Sequence, residues 1–407
     1  MKFLLAGMGS GGTPDTDNAD FWASDEPGTP WVAIGDLSDR AVVTSTAKAL
    51  TPEGIASKGL KVWPIGTLLF SMYASLGHTA ELTIAAATNQ AILALLPSDE
   101  VNQRFLCRWL EFLKPKLKEH ASSNTQDNLN AEKVGNLFVL KPPLREQATI
   151  AAFLDREIGK IDALIAEQEK LIALLAEKRS ATIAHAVTRG LNPDAPMKDS
   201  GVAWLGRVPA HWDVVRLGAL FREVQDSGWG ELPVLSVSIH HGVSDKELEE
   251  DEMERKVSRS EDRSKYKEVW PGDLTYNMMR AWQGGFGAVT VHGMVSPAYV
   301  VARPTKDFQT SHIEQLLRTP RAVSEMKRYS RGITDFRLRL YWDEFKVIQI
   351  ALPPKMEQSE ISAFIYSESA KVDALMTAAK KNIKLMQERR GALIAAVVTG
   401  QVDVRHT

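Results

Sequence analysis

The sequence predicts an α+β protein of two mixed α/β globular domains, each followed by a long helix, with the two helices pairing as a coiled coil. Three observations carry this. A gapless duplication relates residues 142–192 to residues 353–403, with roughly 22 identities in about 51 positions. A heptad apolar pattern runs through both copies. Ahead of each copy lies a mixed segment with short β runs and closely spaced turn signals. The 407 residues and 45.0 kDa exceed one domain. A hydrophobic content of 44% and a charged content of 25% exclude a disordered or fibrous chain.

In chain order, the expected parts are a globular domain over 1–141, a long helix over 142–192, a second domain over 193–352 and a second helix over 353–407. Lys2–Ala6 reads as a strand. Pro30–Asp36 in the first domain and Leu232–Ser238 in the second each read as a strand leading into a loop. Leu60–Gly77 matches Tyr266–Gly284, each a Pro/Gly turn feeding a strand that ends in a polar, aromatic loop. Helical pieces follow at Gln103–Lys118 and Ile313–Tyr329. Each domain closes with a polar loop and a strand, NTQDNLN before VGNLFVLKPP and GITDFRLRL before EFKVIQIALPP. The Pro-rich joint Leu191–Gly201 separates the two repeats.

The helices follow from spacing. Leu154, Ile158, Ile161, Ile165, Gln168, Ile172, Leu175, Arg179 and Ile183 step by four and three, which keeps one seam toward a partner helix. Ile365, Val372, Met376, Ile383, Met386 and Ile394 hold matching places in the second copy. Pro143 and Pro354 precede the first full turn, and neither interior contains proline. Some 40 residues at 1.5 Å each make a rod of about 60 Å. The polar seam residues Gln168, Arg179 and Arg390 cost stability but fix register. A second apolar line, Phe153, Leu164, Leu171 and Leu174, is open to two readings, burial against a neighbouring domain or a docking face for another subunit.

Composition and motifs exclude several classes. No apolar run reaches the length of a membrane span, and the N-terminal apolar stretch is too short for a secretory signal, so a cytoplasmic protein with no membrane partner is expected. One cysteine, Cys107, excludes an internal disulfide framework and a multi-thiolate zinc site. With 49 basic and 51 acidic residues, any nucleic-acid attraction must be local. Gly7, Gly9 and Gly12 spell G-x-G-x-x-G, but TPDTDNADFW follows where a helix would have to start, so the motif reads as a glycine-rich turn. There is no P-loop, no G-x-S-x-G elbow and no H-E-x-x-H. His240 and His241 are neighbours that would point to opposite faces of a strand, so no metal site is expected. The carboxylates Glu249, Glu250 and Asp251 belong to a charge run that reads as a solvated loop. No catalytic residues are assigned.

Pro142–Gly190, with P-P-x-x-E-Q-x-x-I-x-x-F leading a long helix that ends in V-T-x-G, resembles the specificity subunit of type I restriction–modification systems. Asp199–Leu217, with W-L-G-x-x-P-x-H-W, resembles the lead-in to that family's second target-recognition domain. Gly11–Pro14 followed by PWVAIGD resembles the start of a first one. The resemblance implies that residues 1–141 and 193–352 are target-recognition domains, each reading half of a split, asymmetric site in double-stranded DNA. It implies antiparallel helices that set the unread gap. It also implies two docked adenine methyltransferase subunits that bind S-adenosylmethionine themselves, and restriction subunits, where present, that use ATP and magnesium. The chain itself would be non-catalytic and bind no cofactor. The lead-in precedes only the second domain; either the start codon is placed late or the first domain lacks a segment its twin has.

DNA reading needs phosphate contacts for position and base-edge contacts for sequence. The phosphate candidates are Arg255, Lys256, Arg259, Arg263, Lys265 and Lys267, then Arg318, Arg321, Lys327, Arg328, Arg331, Arg337 and Arg339. The acidic stretch over 247–254 dilutes the first cluster. Base-reading candidates lie in loops at strand ends. In the first domain they are Ser10, Gly12, Thr13, Tyr73, Ser75, Asn124, Thr125, Gln126 and Asn128. In the second they are Ser238, His240, Asn277, Arg280, Trp282, Gln283, Arg331, Thr334 and Arg337. Asn and Gln can bond adenine bidentately, and Arg reads guanine. The alternatives are a stand-alone DNA-binding protein without a methyltransferase, a nucleotide-dependent enzyme built on Gly7–Gly12, and a coiled-coil scaffold with no DNA role.

Overall fold

A computed structural model describes residues 1–23, 28–37, 41–73, 76–120, 129–227, 231–239, 241–248, 263–332 and 337–405. The chain forms two compact units, Met1–Glu169 with Lys380–Thr407, and Lys170–Ala379. No helix among the described residues is long and apolar enough to cross a membrane.

The first unit is built on β1 (Leu5–Ser10), β2 (Leu68–Ser71), β3 (Thr79–Leu82) and β4 (Ile92–Pro97). They lie antiparallel in the order β1-β4-β2-β3, and the short strand Val42–Val43 joins β3 in parallel. Alternate residues point to opposite faces. Leu68, Phe70, Leu93 and Leu95 pack with Leu106 and Leu110 of α1 (Gln103–His120), whereas Leu69, Ala80, Leu82 and Ala94 pack around Trp63. Both faces are thus covered. Gly7 and Gly9 lie inside β1 and do not form a turn. A Cβ on Gly9 would meet the Trp63 ring at 3.1 Å, so glycine lets the indole lie against the strand. No helix opens at Gly12. The expected strand at VGNLFVLKPP is replaced by the short helix α2 (Ala131–Gly135) and a stretch that joins no ladder among the described residues.

The second unit repeats the plan. A strand of the lead-in, β5 (Asp213–Arg216), is followed by β6 (Phe221–Val224), β7 (Leu274–Asn277), β8 (Phe286–Ala288) and β9 (Tyr299–Pro304), with β6-β9-β7-β8 in one antiparallel sheet. This is the strand order of the first unit, and the duplication therefore extends through the domains. The expected strand Leu232–Ser238 is reduced to Val237–Ser238 and a bridge at Val234. The expected helix Ile313–Tyr329 is two, α3 (Thr310–Leu317) and α4 (Pro320–Tyr329). Thr319 between them caps α4, its hydroxyl accepting from Ala322 N at 3.4 Å, and Pro320 takes the first helical position. After α5 (Trp342–Phe345), β10 (Gln349–Leu352) pairs with β5.

The two long helices run over Leu144–Arg189 (the first) and Lys355–Val398 (the second). Each is locked to its domain by one buried glutamine of the Pro-Pro-x-x-Glu-Gln motif. Gln147 Oε1 accepts from Asn102 N and its Nε2 donates to Pro142 O, both at 2.8 Å. Gln358 repeats this with Gln309 N at 2.7 Å and Pro353 O at 2.8 Å. In the first unit Ile150, Leu154 and Ile158 near the start of the first helix pack with Ile394, Val397 and Val398 near the end of the second. In the second unit Ala186 and Val187 pack in one core with Ile361 and Ile365. The helices are therefore antiparallel. All the expected seam residues are buried or half-buried. The seam arginines make exchanged ion pairs, Arg179 with Asp373 at 2.7 Å and Arg390 with Asp162 at 2.9 Å. Exposed pairs of this kind are worth only about 0.2–1 kcal/mol each; their effect is on register.

Candidate nucleic-acid interface

In the first unit, the strand ends gather the candidates. Ser10 at the end of β1 pairs with Leu93, and Ser71 at the end of β2 pairs with Ile92, so the loops beyond both strands sit beside the Thr88–Ala91 turn into β4. Gly12 N donates to Thr88 O at 2.9 Å, and Gly12 O accepts from the Trp31 indole at 3.0 Å. Gly11 has no room for a side chain: its Cβ would fall 1.6 Å from Thr88 O. Thr13 Oγ1 donates to Gln90 Oε1 at 2.5 Å, and Met72 N, beside Tyr73, donates to Ala91 O at 2.9 Å. Ser10, Gly12, Thr13 and Tyr73 thus share one end of the sheet. Ser75, Asn124, Thr125, Gln126 and Asn128 lie outside the described residues.

Sequence reasoning missed two neighbours of this loop and a third, basic residue on the same sheet face. Gln90 is exposed and held by Thr13. Lys58 lies against Gly12, whose Cβ would be 3.8 Å from the Lys58 Cβ, and the Lys61 ammonium sits farther along β1, 3.6 Å from where a Gly7 Cβ would lie and 4.0 Å over the Trp63 ring. These two lysines supply local positive charge that a search for basic runs passes over, because each stands alone in sequence.

The second unit places its candidates at the equivalent end. Asn277 closes β7 opposite Tyr299, and its side chain accepts from Met279 N at 3.0 Å. Arg280, half-buried, begins a single turn, Ala281–Gln283, that packs against α4. The Lys327 ammonium of α4 lies 5.7 Å over the Trp282 ring, and the Trp282 indole donates to Met279 O at 2.9 Å. Gln283 is exposed. Leu340 N donates to Met278 O at 3.0 Å, and Arg331 and Arg339 exchange two backbone bonds of 2.9 Å, which brings the segment after α4 onto the same loop. Arg280, Lys327, Arg331, Arg337 and Arg339 therefore converge. Ser238 stands on a tight hairpin, its hydroxyl accepting from His241 N at 3.0 Å. His240 and Thr334 lie outside the described residues, as do Arg255, Lys256 and Arg259.

Some basic candidates have structural partners. Arg318 pairs with Glu314 at 3.0 Å and donates to Ile239 O at 3.1 Å, which anchors the Ser238 hairpin. Lys267 donates to Tyr299 O at 2.7 Å, and burial pushes its ammonium below the usual lysine range. Arg263 pairs with Glu247 at 3.2 Å and Arg328 with Glu325 at 2.7 Å. Arg331 pairs with Glu344 and remains largely exposed. Arg321, Lys327, Arg337 and Arg339 are exposed.

Residues 5–173 match the family model described as type I restriction modification DNA specificity domain. By this match the first domain and much of the first long helix are similar to the DNA specificity domain of type I restriction systems. The chain is similar to the type I restriction enzyme MjaIX specificity subunit of Methanocaldococcus jannaschii, 23% identical over 224 residues that cover 53% of this chain and 49% of that protein. It is also similar to the HindI specificity subunit of Haemophilus influenzae, 28% identical over 137 residues, 32% of this chain and 29% of the relative. The chain thus spans about half the length of the first relative and less than a third of the second. Among solved structures, a chain of a type I restriction–modification system described for its complex assembly and conformational transition superposes with a TM-score of 0.64 at 15% identity, covering 98% of this chain and 97% of that one. The HsdS subunit of Thermoanaerobacter tengcongensis gives 0.50 at 14% identity, covering 98% and 96%. At these identities the likeness is one of fold: two mixed domains and a helix pair.

Proposed function

We propose that this chain is the specificity subunit of a type I restriction–modification complex and reads a bipartite, asymmetric site in double-stranded DNA. The observation that carries the reading is the repetition of one strand order in both units, each time with polar and basic side chains gathered at the same end of the sheet. A duplicated scaffold with different side chains at equivalent loops suits two different half-sites. In the first unit Thr13, Gln90 and Tyr73 would meet base edges and Lys58 and Lys61 phosphates. In the second, Asn277, Arg280 and Gln283 would read bases while Arg321, Lys327, Arg337 and Arg339 hold the backbone. The length of the paired helices would set the unread gap.

Two adenine methyltransferase subunits would dock on the helices, and the exposed Leu164, Leu171 and Leu174 support a docking face over burial within the chain. S-adenosylmethionine would be bound by those subunits, and ATP and magnesium by a restriction subunit where one is present. The chain itself would bind no cofactor and catalyse nothing, and would work in the cytoplasm with the DNA. Selection of bound duplexes from a random pool by the purified complex with its methyltransferase tests this. A split motif with a constant gap is expected; one contiguous motif, or none, would refute it. Selection of the same split motif by the chain alone, in a genome that encodes no adenine methyltransferase partner, would instead favour a stand-alone DNA-binding protein.

A further inference from the structure

The two units brace their strand-end loops in the same way. In the first, the residue after β2 is Met72, buried, whose carbonyl accepts from Leu129 N at 3.2 Å. In the second, the residue after β7 is Met278, half-buried against the core, whose carbonyl accepts from Leu340 N at 3.0 Å. Leu129 and Leu340 are both buried, and each stands thirteen residues ahead of its Pro-Pro pair. The brace is thus part of the duplication. It turns one methionine inward and gives the next position, Tyr73 or Met279, to the loop.

That next position is pinned in both units by the last residue of the strand. Ser71 Oγ donates to Tyr73 O at 2.8 Å, and Asn277 Oδ1 accepts from Met279 N at 3.0 Å. Met279 is held a second time by the Trp282 indole, which donates to its carbonyl at 2.9 Å. Its backbone is therefore fixed on both sides, while the residue is 46% exposed. It stands between Asn277 and Arg280, with Gln283 exposed a few residues on.

We propose that Met279 is a specificity-determining residue of the second unit and reads the 5-methyl group of a thymine; this rests on the DNA-reading function proposed above. Of the four bases, thymine alone presents an apolar group in the major groove, and apolar side chains recognise it by contact. A polarizable thioether on an unbranched stem suits such a contact. Arg280 and Gln283 beside it can supply the hydrogen bonds that a methionine cannot. The twin position carries Tyr73, so one braced place in the fold holds a different chemistry in each unit, as two different half-sites require.

The test uses the complex with its methyltransferase and the split motif that it selects. Each thymine of the motif is replaced in turn by deoxyuridine, which removes the methyl group alone, and binding is read by competition. In the parent, one thymine of one half-site should lose about fourfold, the weight of a single buried methyl group. In Met279→Ala the thymine and deoxyuridine duplexes should bind alike at that place, with the methyl effects of the other half-site unchanged. Met279→Leu, which keeps an apolar side chain, should retain most of the effect. A merely structural role would weaken both duplexes equally and leave their ratio in place. That result, or a split motif in which no thymine shows a methyl effect, overturns this inference alone. Failure to select any split motif would instead remove the proposed function on which it rests.

Discussion

Gln358 offers the sharpest test of how a domain is fixed to its helix. The side chain is buried and spans two backbone groups, accepting from Gln309 N at 2.7 Å and donating to Pro353 O at 2.8 Å. Gln358→Ala leaves one buried donor and one buried acceptor without their partner, each worth about 1–3 kcal/mol when orphaned. Partial access of water near Gln309 reduces the sum, and a loss of about 2–4 kcal/mol is expected for the second unit. For a unit of this size each kcal/mol shifts Tm by about 2–4 °C, so its thermal transition should fall by about 4–16 °C. Ser359→Ala, which removes an exposed 3.3 Å bond from Gln309 Nε2, should change it by less than about 2 °C. Scanning calorimetry reads the change, and Gln147→Ala should lower the melting of the first unit as Gln358→Ala lowers that of the second. A Gln358→Ala protein that melts within about 1 °C of the parent would show that the motif does not clamp the helix.

Three further outcomes are expected. Arg280→Ala should relax base preference in one half-site and weaken that site by about 1–3 kcal/mol, read by competition binding against single-base variants; equal weakening of all duplexes would make Arg280 a phosphate contact. Gly11→Ala would drive a methyl into Thr88 O and displace the Gly11–Thr13 loop, so recognition of the first unit's half-site should fail while that of the second persists. His312 is buried with neither ring nitrogen bonded among the described residues, and desolvation lowers its pKa to about 4. The unfolded chain then binds the extra proton first, so stability is complete above about pH 6.5 and declines toward pH 4, by about 2 kcal/mol at pH 5. Urea midpoints of the parent should show this slope between pH 7 and 5, and His312→Leu should flatten it.

The helical half of the fold was legible because a duplicated heptad is a local signal: Leu154 to Ile183 and Ile365 to Ile394 follow from spacing alone. The Pro-Pro-x-x-Glu-Gln motif was visible as a resemblance, but its physical role waits on Asn102 and Gln309, over forty residues away in sequence. The strand expected at 138–141 failed for a tertiary reason. Val139 and Leu140 have strand-forming side chains, but among the described residues none supplies them the ladder partner that β5 supplies to β10. The glycines of β1 were read as a turn because Trp63, the ring they admit, is remote in sequence. At the strand-end loops the sequence named Thr13, Asn277 and Arg280 by residue type, yet Lys58 and Gln90 come to the Gly12–Thr13 loop only through tertiary packing.

On the proposed function, one chain carries two DNA-reading units whose unread gap is set by helix length. Deleting a matched heptad from each helix, 167–173 and 379–385, and mapping methylated adenines in cells that carry the complex tests it directly. Both half-site sequences should stay unchanged while the gap between them shortens. Altered half-sites with the original gap would contradict it.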